Sequence, residues 1–170
     1  MLEDIESLIR SGSRLPLWVE TDTSRRVRLG RRQIEAMIPH RPPFLFVDEI
    51  SNVDLENARI RGTRTIDAND PVFAGHFPGQ PVYPGVLQLE TIGQLGLCLV
   101  HMMDEKRATA MRAVRIHHAV FISEVVPGQQ MEIVAACIRC DDYTAVCSGQ
   151  LLRDGVICAF GIMEVYFVES

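Results

Sequence analysis

Hydrophobic positions change their rhythm several times along this chain. Over residues 1–10, Leu2, Ile5, Leu8 and Ile9 fall on one side of a helix, and Ser11-Gly12-Ser13 ends it. Residues 14–30 keep no sustained period and read as an irregular arm carrying Trp18. Ile34, Met37 and Ile38 return to helical spacing until Pro39 stops the run. His40-Arg41-Pro42-Pro43 then forms a stiff connector into the apolar residues 44–47. Strands are expected over 44–51 and 58–66, where Ala58-Arg59-Ile60-Arg61-Gly62-Thr63 interleaves polar and apolar positions. Four more are expected at about 112–121, 130–141, 143–153 and 156–168. Asp141-Asp142 and Arg153-Asp154-Gly155 punctuate the last three as hairpin turns, so the sheet is antiparallel.

One segment departs from this pattern. Residues 85–103 lack strand punctuation, and Val86, Leu87, Leu89, Ile92, Leu95, Leu97, Leu99 and Val100 occur all round a helical wheel. A helix apolar on every side is a buried one. At 1.5 Å per residue it runs for roughly 27 Å, enough to cross a sheet. The expectation is an α+β fold of the hot-dog kind, with one long central helix wrapped by an antiparallel sheet of about six strands. Residues 1–30 are set apart as an N-terminal extension, and residues 31–170 as the single hot-dog domain.

Composition narrows the function classes. The chain has 170 residues, with 17 basic against 22 acidic, a net charge of -5. That balance offers no footprint for nucleic acid and no basic patch for an anionic membrane. The exception is Arg25-Arg26-Val27-Arg28 with Arg31-Arg32, which reads as a solvated edge or as a docking surface for an acidic partner such as a carrier protein. No apolar run is expected to reach membrane-spanning length, and the acidic start Met-Leu-Glu-Asp-Ile-Glu is unlike a signal peptide. Five scattered cysteines imply free thiols and a cytoplasmic setting. Cys137 and Cys140 form a C-x-x-C inside a strand-like stretch, without the further ligands a zinc site needs, so strand packing is the expectation and no metal site is assigned.

Chemistry concentrates just before the long helix, in Ala74-Gly75-His76-Phe77-Pro78-Gly79-Gln80-Pro81-Val82-Tyr83-Pro84-Gly85-Val86. So many prolines and glycines fix a non-repetitive backbone. Pro84-Gly85 stands where the helix starts, and its first turn leaves N–H groups without partners, with partial positive charge added by the helix dipole. A carbonyl oxygen resting there is polarised, as in an oxyanion hole. Glu90 is the only acidic or basic side chain of the charged kind (Asp, Glu, Lys, Arg, His) between His76 and His101. Burial is expected to raise its pKa and keep it protonated, as a general acid requires. Gln94, four residues on, is placed to orient it.

These residues also carry a resemblance. Gly75-His76-Phe77-Pro78-Gly79-x-Pro81-x-x-Pro84-Gly85-Val86-Leu87-x-x-Glu90, followed by Gln94, closely resembles the active-site signature of the bacterial 3-hydroxyacyl-[acyl-carrier-protein] dehydratases. Ile38-Pro39-His40-Arg41-x-Pro43-Phe44-Leu45-x-Val47-Asp48 resembles that family's N-terminal signature, and Phe121-x-x-x-Val125-x-Pro127-Gly128 its third block. The resemblance implies His76 and Glu90 as the catalytic pair and Gly85 as the amide that binds the thioester oxygen. Val86, Tyr83, Phe77 and Gln94 are then expected around the substrate. Tyr83 stands where the family commonly has methionine or phenylalanine, and Ser123-Glu124 replaces a basic residue and proline. Glutamate at position 90, where the isomerising branch usually carries aspartate, implies dehydration without isomerisation.

The implied reaction converts a (3R)-hydroxyacyl thioester, carried on acyl carrier protein, to the trans-2-enoyl thioester in fatty-acid or related lipid synthesis. It needs no metal or redox cofactor, because the thioester itself acidifies C2. The resemblance further implies a homodimer sharing its active sites, with a hexamer as a trimer of dimers in some members. Two rivals differ in class: a dedicated dehydratase of a polyketide or specialised lipid pathway, and a non-catalytic hot-dog module that binds acyl thioesters. A thioesterase of the same fold would usually lack the glycine–histidine–phenylalanine–proline loop.

Overall fold

The structure, a computed structural model, describes residues 5–104 and 111–168. Three helices, α1 (Ile5–Ser11), α2 (Arg31–Met37) and α3 (Gly85–Met103), accompany seven strands. The strands are β1 (Arg25–Gly30), β2 (Glu49–Asp54), β3 (Arg59–Thr65), β4 (Met111–Phe121), β5 (Gln130–Cys140), β6 (Thr144–Arg153) and β7 (Val156–Phe167). They form one antiparallel sheet in the order β1-β2-β3-β5-β6-β7-β4, with α3 packed against β3, β5, β6 and β7. This is the expected hot-dog arrangement, with seven strands where about six were expected.

The additional strand is β1, which lies in the stretch read as an irregular arm. Its pairing with β2 supplies what its own polar sequence, Arg-Arg-Val-Arg-Leu-Gly, does not. Residues 44–48, expected to begin a strand, lie outside the ladder, and β2 runs on to Asp54. Leu45, Phe46 and Val47 are buried there as a packed loop, since a short apolar run buries itself equally well in either form.

The sheet is shaped to receive α3. Gly149 of β6 and Gly161 of β7 are cross-strand partners. A Cβ on either would come within 2.4 Å of Ile92 or 2.3 Å of Leu89. The helix therefore rests directly on the sheet backbone beside Glu90. Ile92, Leu95, Cys98 and Leu99 join Ile50, Ile60, Ile133 and Leu151 in the main core. The expectation that no apolar run reaches membrane-spanning length needs correcting, since α3 qualifies by length and composition. Its apolar positions are used in that core.

The opposite face of the sheet is covered by the N-terminal residues. Leu8 and Leu17 pack with Val134, Val146, Phe160 and Ile162, and Trp18 lies alongside. The fully buried Gln150 ties the segment down. Its Oε1 accepts from Leu17 N–H at 2.9 Å, and its Nε2 donates to the Gly12 and Leu15 carbonyls at 2.7 Å each. A buried amide with every group paired fixes one register of the strap.

Candidate active site

The His76 loop is held by its own backbone. The 3-10 turn Pro71–Ala74 is capped by Asp70, whose Oδ1 accepts from Val72 N–H at 2.9 Å. His76 N–H donates to Val72 O, Val82 N–H to His76 O, and Tyr83 N–H to Val125 O, while Gly79 takes φ +81° at the loop's tip. The His76 ring stacks on Phe77 with centroids 4.0 Å apart, and Nδ1 lies 2.9 Å from Val82 O. A carbonyl accepts but cannot donate, so Nδ1 carries the proton in the neutral ring and Nε2 keeps its lone pair for a substrate proton.

Helix α3 begins at Gly85, as expected. Leu87 and Gln88 N–H groups donate back to Pro84 O, while those of Gly85 and Val86 have no acceptor among the described residues. These two amides are the free donors of the helix start. A Cβ at Gly85 would meet the Phe121 ring at 3.0 Å, so β4 closes down on this point. Val86, at 71% exposure, points outward, and Phe77 is exposed as well. Tyr83 is buried in the main core with its ring 6.3 Å from Phe73.

Glu90 is half-buried, its side chain 34% exposed, at the wall of a cavity of about 410 Å³. The cavity is also lined by His40, Phe44, Gln94, Met111 and Cys147. Gln94 is buried and fully used. Its Nε2 donates to Glu90 Oε1 at 2.9 Å and to Phe44 O at 3.0 Å, and its Oε1 accepts from Phe46 N–H at 2.7 Å. The hydrogen bond expected between Gln94 and Glu90 is therefore present, with Gln94 itself anchored by the 44–46 loop.

The expectation of a raised Glu90 pKa is corrected. The hydrogen bond from His40, whose Nε2 lies 3.4 Å from Oε1, is the largest influence and holds the carboxyl below its usual value. Burial opposes this, while the Gln94 hydrogen bond and the charge of His40 add to it. In the sequence His40 stands out only as part of a stiff connector. The available signal was its place in the segment resembling the N-terminal signature.

The protomer does not bring all of the expected residues together. No residue of the 74–83 loop lines the Glu90 cavity. Phe77 instead borders a separate cavity of about 730 Å³ with Gln80, Pro81, Val82, Glu124, Val126 and Pro127. The loop that carries His76 thus takes no part in lining the Glu90 cavity of its own chain.

Residues 38–160 match the FabA-like domain family. The chain is 35% identical over 145 residues to a 3-hydroxyacyl-[acyl-carrier-protein] dehydratase FabZ of Sorangium cellulosum, covering 84% of this chain and 93% of that protein. It is 37% identical over 131 residues to the enzyme of the same name from Bacillus subtilis, covering 76% of this chain and 92% of that one. Among solved structures, the dehydratase heterocomplex ApeI:P of Xenorhabdus doucetiae superposes with a TM-score of 0.64 over 81% of this chain and 91% of that one. At 14% identity, that likeness concerns the fold alone.

Proposed function

The chain belongs to the FabA-like family, and from that premise we propose that it dehydrates 3-hydroxyacyl thioesters in fatty-acid synthesis, with His76 and Glu90 as its acid–base pair. The observation that carries the assignment of roles is the pair of fixed orientations: His76 locked through Nδ1 on Val82, and Glu90 held by Gln94 and His40. His76 Nε2 takes a proton from C2 of a (3R)-hydroxyacyl chain. The Gly85 N–H, with Val86 beside it, receives the thioester oxygen as enolate character develops. The C3–O bond then breaks, and the departing hydroxyl takes a proton from the Glu90 side and leaves as water. His40 adjoins Glu90 on that side, its Nε2 3.4 Å from Oε1. Water excluded by the acyl chain favours the protonated carboxyl.

That no residue of the His76 loop lines the Glu90 cavity supports a homodimer in which His76 of one subunit meets Glu90 of the other. The two sheet edges differ in a way that suits this. β1 exposes Arg25, Arg26 and Arg28, which discourage pairing, whereas β4 exposes Val114 (60%) and Ile116 (58%) along eleven residues. We place the dimer contact along β4, and take acyl carrier protein as the thioester's bearer from the relatives' names. The stretch ahead of residue 31 we read as an addition to the dehydratase domain, supplying an edge strand and a cover for the sheet. Cysteines that form no disulfide among the described residues suit a cytoplasmic enzyme. Mixing His76→Ala and Glu90→Gln proteins under subunit exchange tests the shared site. Recovery of one working site per heterodimer is expected, and no recovery despite demonstrated exchange contradicts it.

A further inference from the structure

The Cys137-x-x-Cys140 motif has no part in the dehydration chemistry, yet the fold gathers it with a third thiol. Ile138 forms a bulge in β5, and the register slips there. The extra residue turns Cys137 and Cys140 to the same face, where both pack beside Cys147 of β6, together with Val100, Met111 and Val165. Cys137 and Cys147 are direct cross-strand partners. Cys137 N–H donates to Ala58 O in the other direction, at 2.9 Å, so its backbone groups point away from β6. The Cys137–Cys147 pair is therefore a non-hydrogen-bonded one, in which Cα atoms sit about 4.5 Å apart and side chains lie closest. A disulfide spans Cα separations of about 4.4–6.8 Å, so this site can be bridged with little backbone movement.

We infer that Cys137 and Cys147 form a dithiol–disulfide site whose Cys147 lines the Glu90 cavity. The two ends of the pair are unlike. Cys137 is partly exposed, and the Cys147 thiol hydrogen-bonds to it and lowers its pKa, outweighing burial. Cys147 is buried, and its thiol is raised by that same contact and by burial. Cys137 is thus the attacking thiolate and Cys147 the resolving thiol. With a small-molecule disulfide RSSR as oxidant, the Cys137 thiolate attacks one sulfur, forming Cys137–S–S–R and releasing RS⁻. Cys147 gives up its proton to RS⁻ and attacks the Cys137 sulfur, forming Cys137–S–S–Cys147 and releasing the second RS⁻. Two protein thiols are oxidised and one small disulfide is reduced.

The bridge reaches the reaction through packing. Cys147 lines the cavity that holds Glu90, and α3 sits so close that a Cβ on Gly96 would meet Cys147 Cβ at 3.2 Å. Moving the Cys147 side chain toward Cys137 changes the contact under α3 and the cavity wall together. A shift of about 1 Å at reacting groups can cost up to about 10²-fold, and a loss of at least about tenfold is expected on oxidation. The protein is exposed to oxidised glutathione, then unfolded, alkylated with iodoacetamide and mapped by mass spectrometry, with dehydration measured on the folded protein before and after dithiothreitol. A Cys137–Cys147 linkage is expected in the folded wild-type and Cys140→Ser proteins, with activity lost and then restored by the reductant. Cys137→Ser should keep its activity through the same treatment. Full alkylation of both thiols after the oxidant, or equal inactivation of Cys137→Ser, would overturn the inference. The mapping reads the linkage independently of activity, so its result does not depend on the dehydratase reading.

Discussion

Replacing Gln94 with leucine removes one amide and disturbs three partners at nearly constant volume. The Phe46 N–H and Phe44 carbonyl lose the side chain that pairs with them, at 2.7 and 3.0 Å, and Glu90 loses its 2.9 Å donor. A buried backbone group left unsatisfied costs about 1–3 kcal/mol, and water reaching one of the two from the cavity reduces the total. A net loss of about 2–4 kcal/mol is expected, read from urea unfolding of the wild type and Gln94→Leu side by side. Activity should fall further than stability explains, because the carboxyl is free to turn away from the substrate. A loss of roughly 10–10²-fold in kcat is expected from misorientation alone, measured where the variant is still fully folded. The pH dependence has a definite sign. Gln94 stabilises the Glu90 carboxylate and lowers its pKa, so its removal favours the protonated form. An acid must be protonated to act, so the limb on which activity falls with rising pH should move to higher pH. A folded Gln94→Leu protein with unchanged stability, kcat and pH profile would refute this account of the site.

His40→Ala removes the largest influence on Glu90, so an NMR titration of a carbon-13-labelled Glu90 carboxyl should show its pKa rising, while kcat falls. The buried Asp54 would be raised by desolvation, but hydrogen bonds from Thr21, Asn57 and Thr23 outweigh this and hold it well below the usual aspartate range. Its contribution to stability is present above the unfolded pKa of about 3.9 and is lost as pH falls toward the folded value. Asp54→Asn should therefore destabilise by about 1.5–3 kcal/mol at neutral pH in chemical unfolding, with the gap from wild type closing in acid. Gly12 packs against Phe160 so closely that a Cβ would lie 2.3 Å from the ring. Gly12→Val should lift the strap, cost about 1–3 kcal/mol, and red-shift the fluorescence of Trp18, the single tryptophan.

The parts of the fold legible from sequence were those whose local pattern agrees with their final place. Residues 85–103 are apolar all round and become the core helix, and Asp154-Gly155 stands where the β6–β7 hairpin needs positive φ at two successive positions. His76, Gly85, Glu90 and Gln94 could be singled out because their loop and helix are contiguous in sequence. Features decided by distant partners were not legible. β1 is polar, with only Val27 and Leu29 facing the core, and becomes a strand because β2 offers it a ladder. Glu90's charge state depends on His40, fifty residues away, and no period along α3 reports a histidine arriving from another segment. The strap's role depends on Gln150, far along β6, whose place beneath Gly12 and Leu15 exists only once the sheet is formed.

The most direct test follows enoyl thioester formation from a (3R)-hydroxyacyl chain on acyl carrier protein, with wild-type and His76→Ala proteins compared under identical conditions. The account predicts steady dehydration by the wild type without added metal or redox cofactor. It predicts a loss of roughly 10²–10⁴-fold in a His76→Ala protein that keeps its fold. A wild-type protein inert toward every chain length offered, or a folded His76→Ala protein dehydrating at a near-normal rate, would contradict it.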